Sequence, residues 1–117
     1  MITKEVATKA AREFLSRDAS LTKIKPVLLE SKTREAETAW IFFYDSEEHI
    51  ASGDYRDALA GGGLVFVDKA NGTVHSFSSA FPVQAYIRVY DQLRRAGAVT
   101  TADVLTRIRE EHLASKG

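Results

Sequence analysis

Thr38-Ala39-Trp40-Ile41-Phe42-Phe43-Tyr44 is the stretch that decides the fold. Alternate residues of a strand point to opposite faces. Trp40, Phe42 and Tyr44 therefore share one face, and Ile41 and Phe43 the other. Both sets are apolar, which predicts a central strand covered on both sides. Working outward, Leu64-Val65-Phe66-Val67 is a further apolar strand. Asp68 to Gly72 reads as a hairpin turn, with Asn71-Gly72 supplying positive φ, and Thr73 to Phe77 as the returning antiparallel strand. Upstream, Ile24 to Glu30 reads as a strand. Pro26 confines it to a sheet edge, because proline cannot donate to the ladder. Ser31 to Glu37 is polar and reads as a turn.

Helices flank this block. Thr3 caps a first helix, with Glu5 suited to its start. Val6, Ala10, Phe14 and Leu15 recur at helical spacing up to about Arg17. Pro82 opens a second helix whose apolar stripe is Val83, Tyr86, Ile87, Tyr90 and Leu93, and Gly97 ends it. Thr100 or Thr101 caps a third, with Val104, Leu105, Ile108 and His112 on one face. The expected fold is α+β: an N-terminal helix, a four-stranded antiparallel sheet and two C-terminal helices packed on it. One domain over residues 1–117 is expected, a length that buries a core without staples.

Composition narrows the function. The chain has 117 residues, 16 basic and 16 acidic, with 44% hydrophobic residues and no cysteine. Disulfides, iron–sulfur clusters and thiolate zinc sites are thereby excluded. No apolar run approaches a membrane span and no signal peptide opens the chain, so a cytoplasmic protein is expected. Zero net charge argues against nucleic acid as a partner. The balance is nevertheless a cancellation. Residues 1–37 carry eight basic against six acidic residues and 88–117 six against four, whereas 38–87 carry two against six. The acids concentrate in the long connection from Asp45 to Gly63. Connections of more than about 12–15 residues are usually functional or hold a short element. Asp54 is placed to cap one helical turn there, with Tyr55 and Leu59 on it. Gly61, Gly62 and Gly63 let the chain turn tightly into the following strand.

Catalytic chemistry is poorly supported. His49, His75 and His112 form no metal-ligand pattern, so no metal or cofactor is expected. His75 reads as structural or as a rim residue, and His112 as solvated or half-buried. No serine sits in a nucleophile elbow, and the triple glycine precedes a strand rather than the helix a phosphate cradle needs. An acid–base pair of His49 with Asp45 or Asp54 is the remaining enzymatic alternative.

The segment from Tyr44 to Tyr86 resembles the YrhB-like domain family, also placed among the immunity proteins (immunity protein 35 type) of bacterial polymorphic toxin systems. The resemblance is carried by Trp40 in an aromatic strand ending Tyr44-Asp45-Ser46, then Ser52-Gly53-Asp54 and Leu59-Ala60-Gly61. Val65-Phe66-Val67-Asp68-Lys69, Gly72-Thr73-Val74-His75-Ser76, Pro82 and Tyr86 follow, and Met1-Ile2-Thr3 before an alanine-rich helix is also similar. Where the family has asparagine and proline before the strand, Gly62, Gly63 and Leu64 stand here. Residues 98–117 extend past the resemblance. It implies a non-enzymatic antidote that binds a cognate toxin, or alternatively a chaperone-like protective module. The charge pattern selects Asp45, Glu47, Glu48, Asp54 and Asp57 as a negative rim for that partner, with Tyr44 and Tyr55 as anchors.

Overall fold

The computed structural model describes residues 1–17, 26–46, 63–78 and 81–116. Within them the elements run α1 (Lys4–Arg17), β1 (Pro26–Leu28), β2 (Arg34–Glu35), β3 (Ala39–Ser46), β4 (Gly63–Asp68), β5 (Val74–Ser78), α2 (Val83–Ala96) and α3 (Thr101–Lys116). The fold is α+β, with an antiparallel sheet of order β1-β3-β4-β5. β2 also pairs with β3, Arg34 opposite Ile41 and Glu35 opposite Trp40. A fifth strand thus sits inside the segment read from sequence as a plain turn. Two residues are too few to show alternation, and only their pairing reveals them.

The sheet is covered on both faces, as the two apolar faces of β3 require. On one side α1 lays Ala7, Ala11 and Leu15 over Phe42, Tyr44, Val65 and Val67. On the other, Ile41, Leu64, Phe66 and Phe77 meet Tyr86, Val89 and Tyr90 of α2 and Val104 and Ile108 of α3. All six residues of β4 are buried. The line of α1 that faces the sheet differs from the predicted one. Ala7 and Ala11 occupy it, Ala10 and Phe14 flank it, and Val6 is 54% exposed. Large rings already fill the sheet surface, so the helix approaches it with small side chains.

Local chemistry ends the elements where expected. Thr3 Oγ1 accepts from the Val6 amide at 3.3 Å. Thr100 Oγ1 accepts from the Asp103 amide while Asp103 Oδ2 accepts from the Thr100 amide, each at 3.1 Å. That reciprocal pair satisfies amides at the start of α3 that the helix itself leaves unbonded. The β4–β5 turn has Gly72 at φ +73°, a value that glycine adopts without penalty.

Candidate functional site

The sheet has two unlike ends. At one end the strand partners are Pro26 with Ser46, Tyr44 with Gly63, and Gly63 with Ser78. Three connections join the sheet there: residues 18–25 lead into β1, 47–62 link β3 to β4, and 79–80 follow β5. Connections carried by a rigid sheet are the usual place for recognition.

The opposite end is tied down. Asp68, 2% exposed at the last position of β4, is the hub. Its Oδ2 accepts from Tyr90 Oη at 2.6 Å and Arg94 Nε at 2.8 Å, and its Oδ1 accepts from the Ala70 amide at 2.8 Å. Burial alone would raise this carboxyl. The Tyr90 hydroxyl, the Ala70 amide and Arg94 outweigh it and hold Asp68 below the ordinary carboxylate range. Tyr90 moves the other way: burial, then the bond to Asp68 and its charge, raise the phenol far above its usual value.

Further bonds surround the hub. Lys69 Nζ meets Glu35 Oε2 at 2.6 Å and lies over the Trp40 ring at 5.1 Å. Asp91 accepts from the amide and hydroxyl of Thr38. The amide of Ile2 donates to Lys69 O at 2.8 Å, which fastens the N-terminus to the same corner. Asp68 therefore has its acceptors occupied by structural donors, and the cluster acts as a clamp joining the hairpin to α2. Sequence reading placed Asp68 only in a turn. The available signal was Tyr90 and Arg94, four apart and so on one face of a helix, with one hydroxyl and one cationic tip, both donors.

At the loop end, two of the predicted partner residues are described. Tyr44 was expected as an exposed anchor; it is 6% exposed and belongs to the core under α1. It faces that core because it continues the Trp40–Phe42 alternation along the strand. Asp45, on the opposite side of the chain, is 9% exposed. Glu47, Glu48, Asp54, Tyr55 and Asp57 lie outside the described residues, as do His49, Gly61 and Gly62, Asp18 to Ser20, and Ile24 of the predicted first strand.

Gly63 shows why a glycine precedes Leu64. It lies inside β4, opposite Tyr44, and is not among the glycines of positive φ. A Cβ there would stand 2.3 Å from Tyr44 Oη and 2.5 Å from its Cζ. Space for the tyrosine ring, rather than freedom to turn, demands glycine at this position.

A groove of about 400 Å³ lies beside this end, lined by Arg12, Leu15 and Ser16 of α1 and by Pro26, Val27 and Leu28 of β1. Arg12 is ion-paired with Glu30. The groove brings together no nucleophile with a base. Among the described residues no group of three His, Asp or Glu side chains is placed to hold a metal ion.

The profile of the immunity protein 35 family matches residues 5–92, from the first turn of α1 to the middle of α2. This chain belongs to the immunity protein 35 family. The match spans all five strands and the Asp68–Tyr90 contact, and leaves α3 beyond it. A relative, the uncharacterized protein YrhB of Escherichia coli strain K12, is 32% identical over 91 residues, which cover 78% of this chain and 90% of that protein. No solved structure matches the chain. No described helix is long and apolar enough to cross a membrane.

Proposed function

We propose that this family member is an antidote that binds a cognate toxin of the same bacterial cell and blocks it by direct contact, working in the cytoplasm by occlusion rather than by catalysis. Membership of an immunity-protein family carries this reading. The loop end of the sheet is the proposed contact surface. Residues 47–62 join it there and carry Glu47, Glu48, Asp54 and Asp57 against one basic residue, Arg56. Their charge steers a basic toxin surface into contact and selects among partners, and Tyr55 supplies a buried anchor that slows dissociation. Tyr44 and Asp45 support that surface from within the strand.

The test is co-expression with a candidate toxin encoded in the neighbourhood of this gene. Growth of the host is restored if the proposal holds. Continued killing in the presence of soluble antidote overturns it. No observation favours the chaperone-like reading, which needs a contiguous exposed apolar patch of at least a few hundred Å². The large exposed apolar side chains among the described residues are Met1, Val6, Val27 and Leu113, drawn from the N-terminus, α1, β1 and α3.

A further inference from the structure

α3 lies outside the family match yet completes the core, through Val104 and Ile108. Its first residue is also bonded to the sheet. His75 of β5, 3% exposed, has its Nδ1 2.9 Å from Thr101 Oγ1 in a hydrogen bond. We infer that His75 is a proton-operated latch for α3: when the buried imidazole takes up a proton from solvent, the first turns of α3 release from the sheet.

The surroundings of the ring supply the reason. Phe77 stacks beside it at 6.5 Å and Tyr90 meets it edge-on at 5.4 Å, centroid to centroid. Among the described residues, the charged or titratable groups facing it are few. From β4 comes the carboxylate of Asp68, which attracts an imidazolium. From α2 come Tyr90 and Arg94, both bonded to Asp68. From α3 come the Thr101 hydroxyl and the helix N-terminus, with Asp103 engaged in capping Thr100.

Asp68 is already committed to Tyr90, Arg94 and the Ala70 amide, so it offers a cation only partial compensation. The start of α3 opposes a cation outright, because a helix N-terminus carries partial positive charge. Burial disfavours the cation further, and the imidazole is accordingly held below the ordinary histidine range. Of the elements around the ring, α3 is the one whose departure admits water without breaking a strand ladder or the Tyr90 and Arg94 bonds that tie α2 to Asp68. It is held by the buried side chains of Val104 and Ile108 with Leu105 packed beside them, the Thr101 bond, an Arg88–Glu111 ion pair at 2.8 Å and the contact of His112 with Phe81.

The experiment uses the full chain. The ring resonances of His75 are followed by NMR from about pH 8 to about pH 5, spanning the histidine range. Amide hydrogen exchange, corrected for intrinsic rates, is measured over the same interval. The expected result is that amides from Val104 to Ile108 lose protection by up to about tenfold per pH unit as pH falls from the ordinary histidine value toward the lower value of the closed state, with no further loss below it, while β3 and β4 keep theirs. His75→Gln, which keeps a hydrogen-bonding group but cannot charge, removes that pH dependence; His112→Gln leaves it in place. The inference is overturned if α3 stays protected while His75 titrates, if α3 and the sheet lose protection together, or if His75→Gln retains the pH dependence. Should His75→Gln fail to fold, the wild-type titration decides between the first two of those outcomes and the expected one.

Discussion

Gly63→Ala is the most informative single change, because its cost can be traced to three atoms. The new Cβ would lie 2.3, 2.5 and 2.8 Å from Oη, Cζ and Cε1 of Tyr44, where ordinary contact begins near 3.4 Å. Both residues are buried, so the ring cannot swing into solvent, and the ladder partners would have to separate or α1 to shift. Overpacking of this kind costs about 1–3 kcal/mol. In thermal unfolding that is a loss of about 4 °C per kcal/mol for a chain of this size. Leucine at position 44 lacks all three contacting atoms. In a Tyr44→Leu background the alanine should therefore be harmless, or stabilise by up to about 1 kcal/mol through the reduced freedom of the unfolded chain. Urea unfolding followed by the single tryptophan, Trp40, which packs against the same cluster, reports all four proteins of the cycle. A coupling near 2 kcal/mol is expected. Equal destabilisation by Gly63→Ala in both backgrounds would refute the steric account and point to the backbone of β4 instead.

Three other outcomes follow from the same structure. Tyr90→Phe removes a hydrogen bond to a buried carboxylate and should cost about 1.5–3 kcal/mol in urea unfolding, with the slope unchanged. Acid sensitivity follows from Asp68: its folded carboxyl is held below the ordinary aspartate value of 3.8, so its stabilisation is complete above that pH and is lost as pH falls through the lower folded value. Tyr90→Phe should narrow that loss, and an unchanged acid limb in urea titrations would argue against Asp68 as its source. Glu47→Lys combined with Glu48→Lys should slow association with a basic toxin, with a shallower salt dependence and no change in melting temperature. Stopped-flow association at two salt concentrations checks this, and an unaltered rate would remove these acids from the contact surface.

Much of the architecture was legible because burial leaves a periodic trace. Trp40 to Tyr44 alternates two apolar faces, and the structure puts a helix layer on each. Pro82, Gly97 and the Thr100 cap mark helix ends through backbone chemistry that needs no distant partner. What sequence withheld depends on contacts between distant positions. Val6 and Ala7 both fit a helical stripe, and only the rings already seated on the sheet decide that alanine turns inward. β2 exists through its pairing with Ile41 and Trp40, not through any pattern of its own. Asp68 looks like a turn residue until Tyr90 and Arg94 arrive from a helix 22 and 26 positions away. The burial of Tyr44 is hidden for the same reason. A tyrosine beside an acidic segment resembles an interface anchor, and the glycine that makes room for it is on another strand.

The separation of the two sheet ends has a consequence for how an immunity protein can vary. Residues that hold the fold, Asp68, Tyr90, Arg94, Lys69 and Thr38, gather at the hairpin end. The connection with the densest negative charge joins the other end, beyond Ser46 and Gly63. β3 and β4 run between these ends with continuous pairing, from Ala39 opposite Asp68 to Tyr44 opposite Gly63. Within the described residues, Ser46 and Gly63 at the ends of the connection are joined to the clamp by the paired β3–β4 ladder. Surface changes away from packed features usually alter stability by no more than about 0.5 kcal/mol. On the proposed contact surface, partner choice would change with the acids of the connection while the sheet stays intact, provided Gly63 and Tyr44 keep their fit at the junction. If the loop end is the contact surface as proposed, fold and recognition meet at that pair, and the glycine is the position where a change meant to alter binding would also disturb the core.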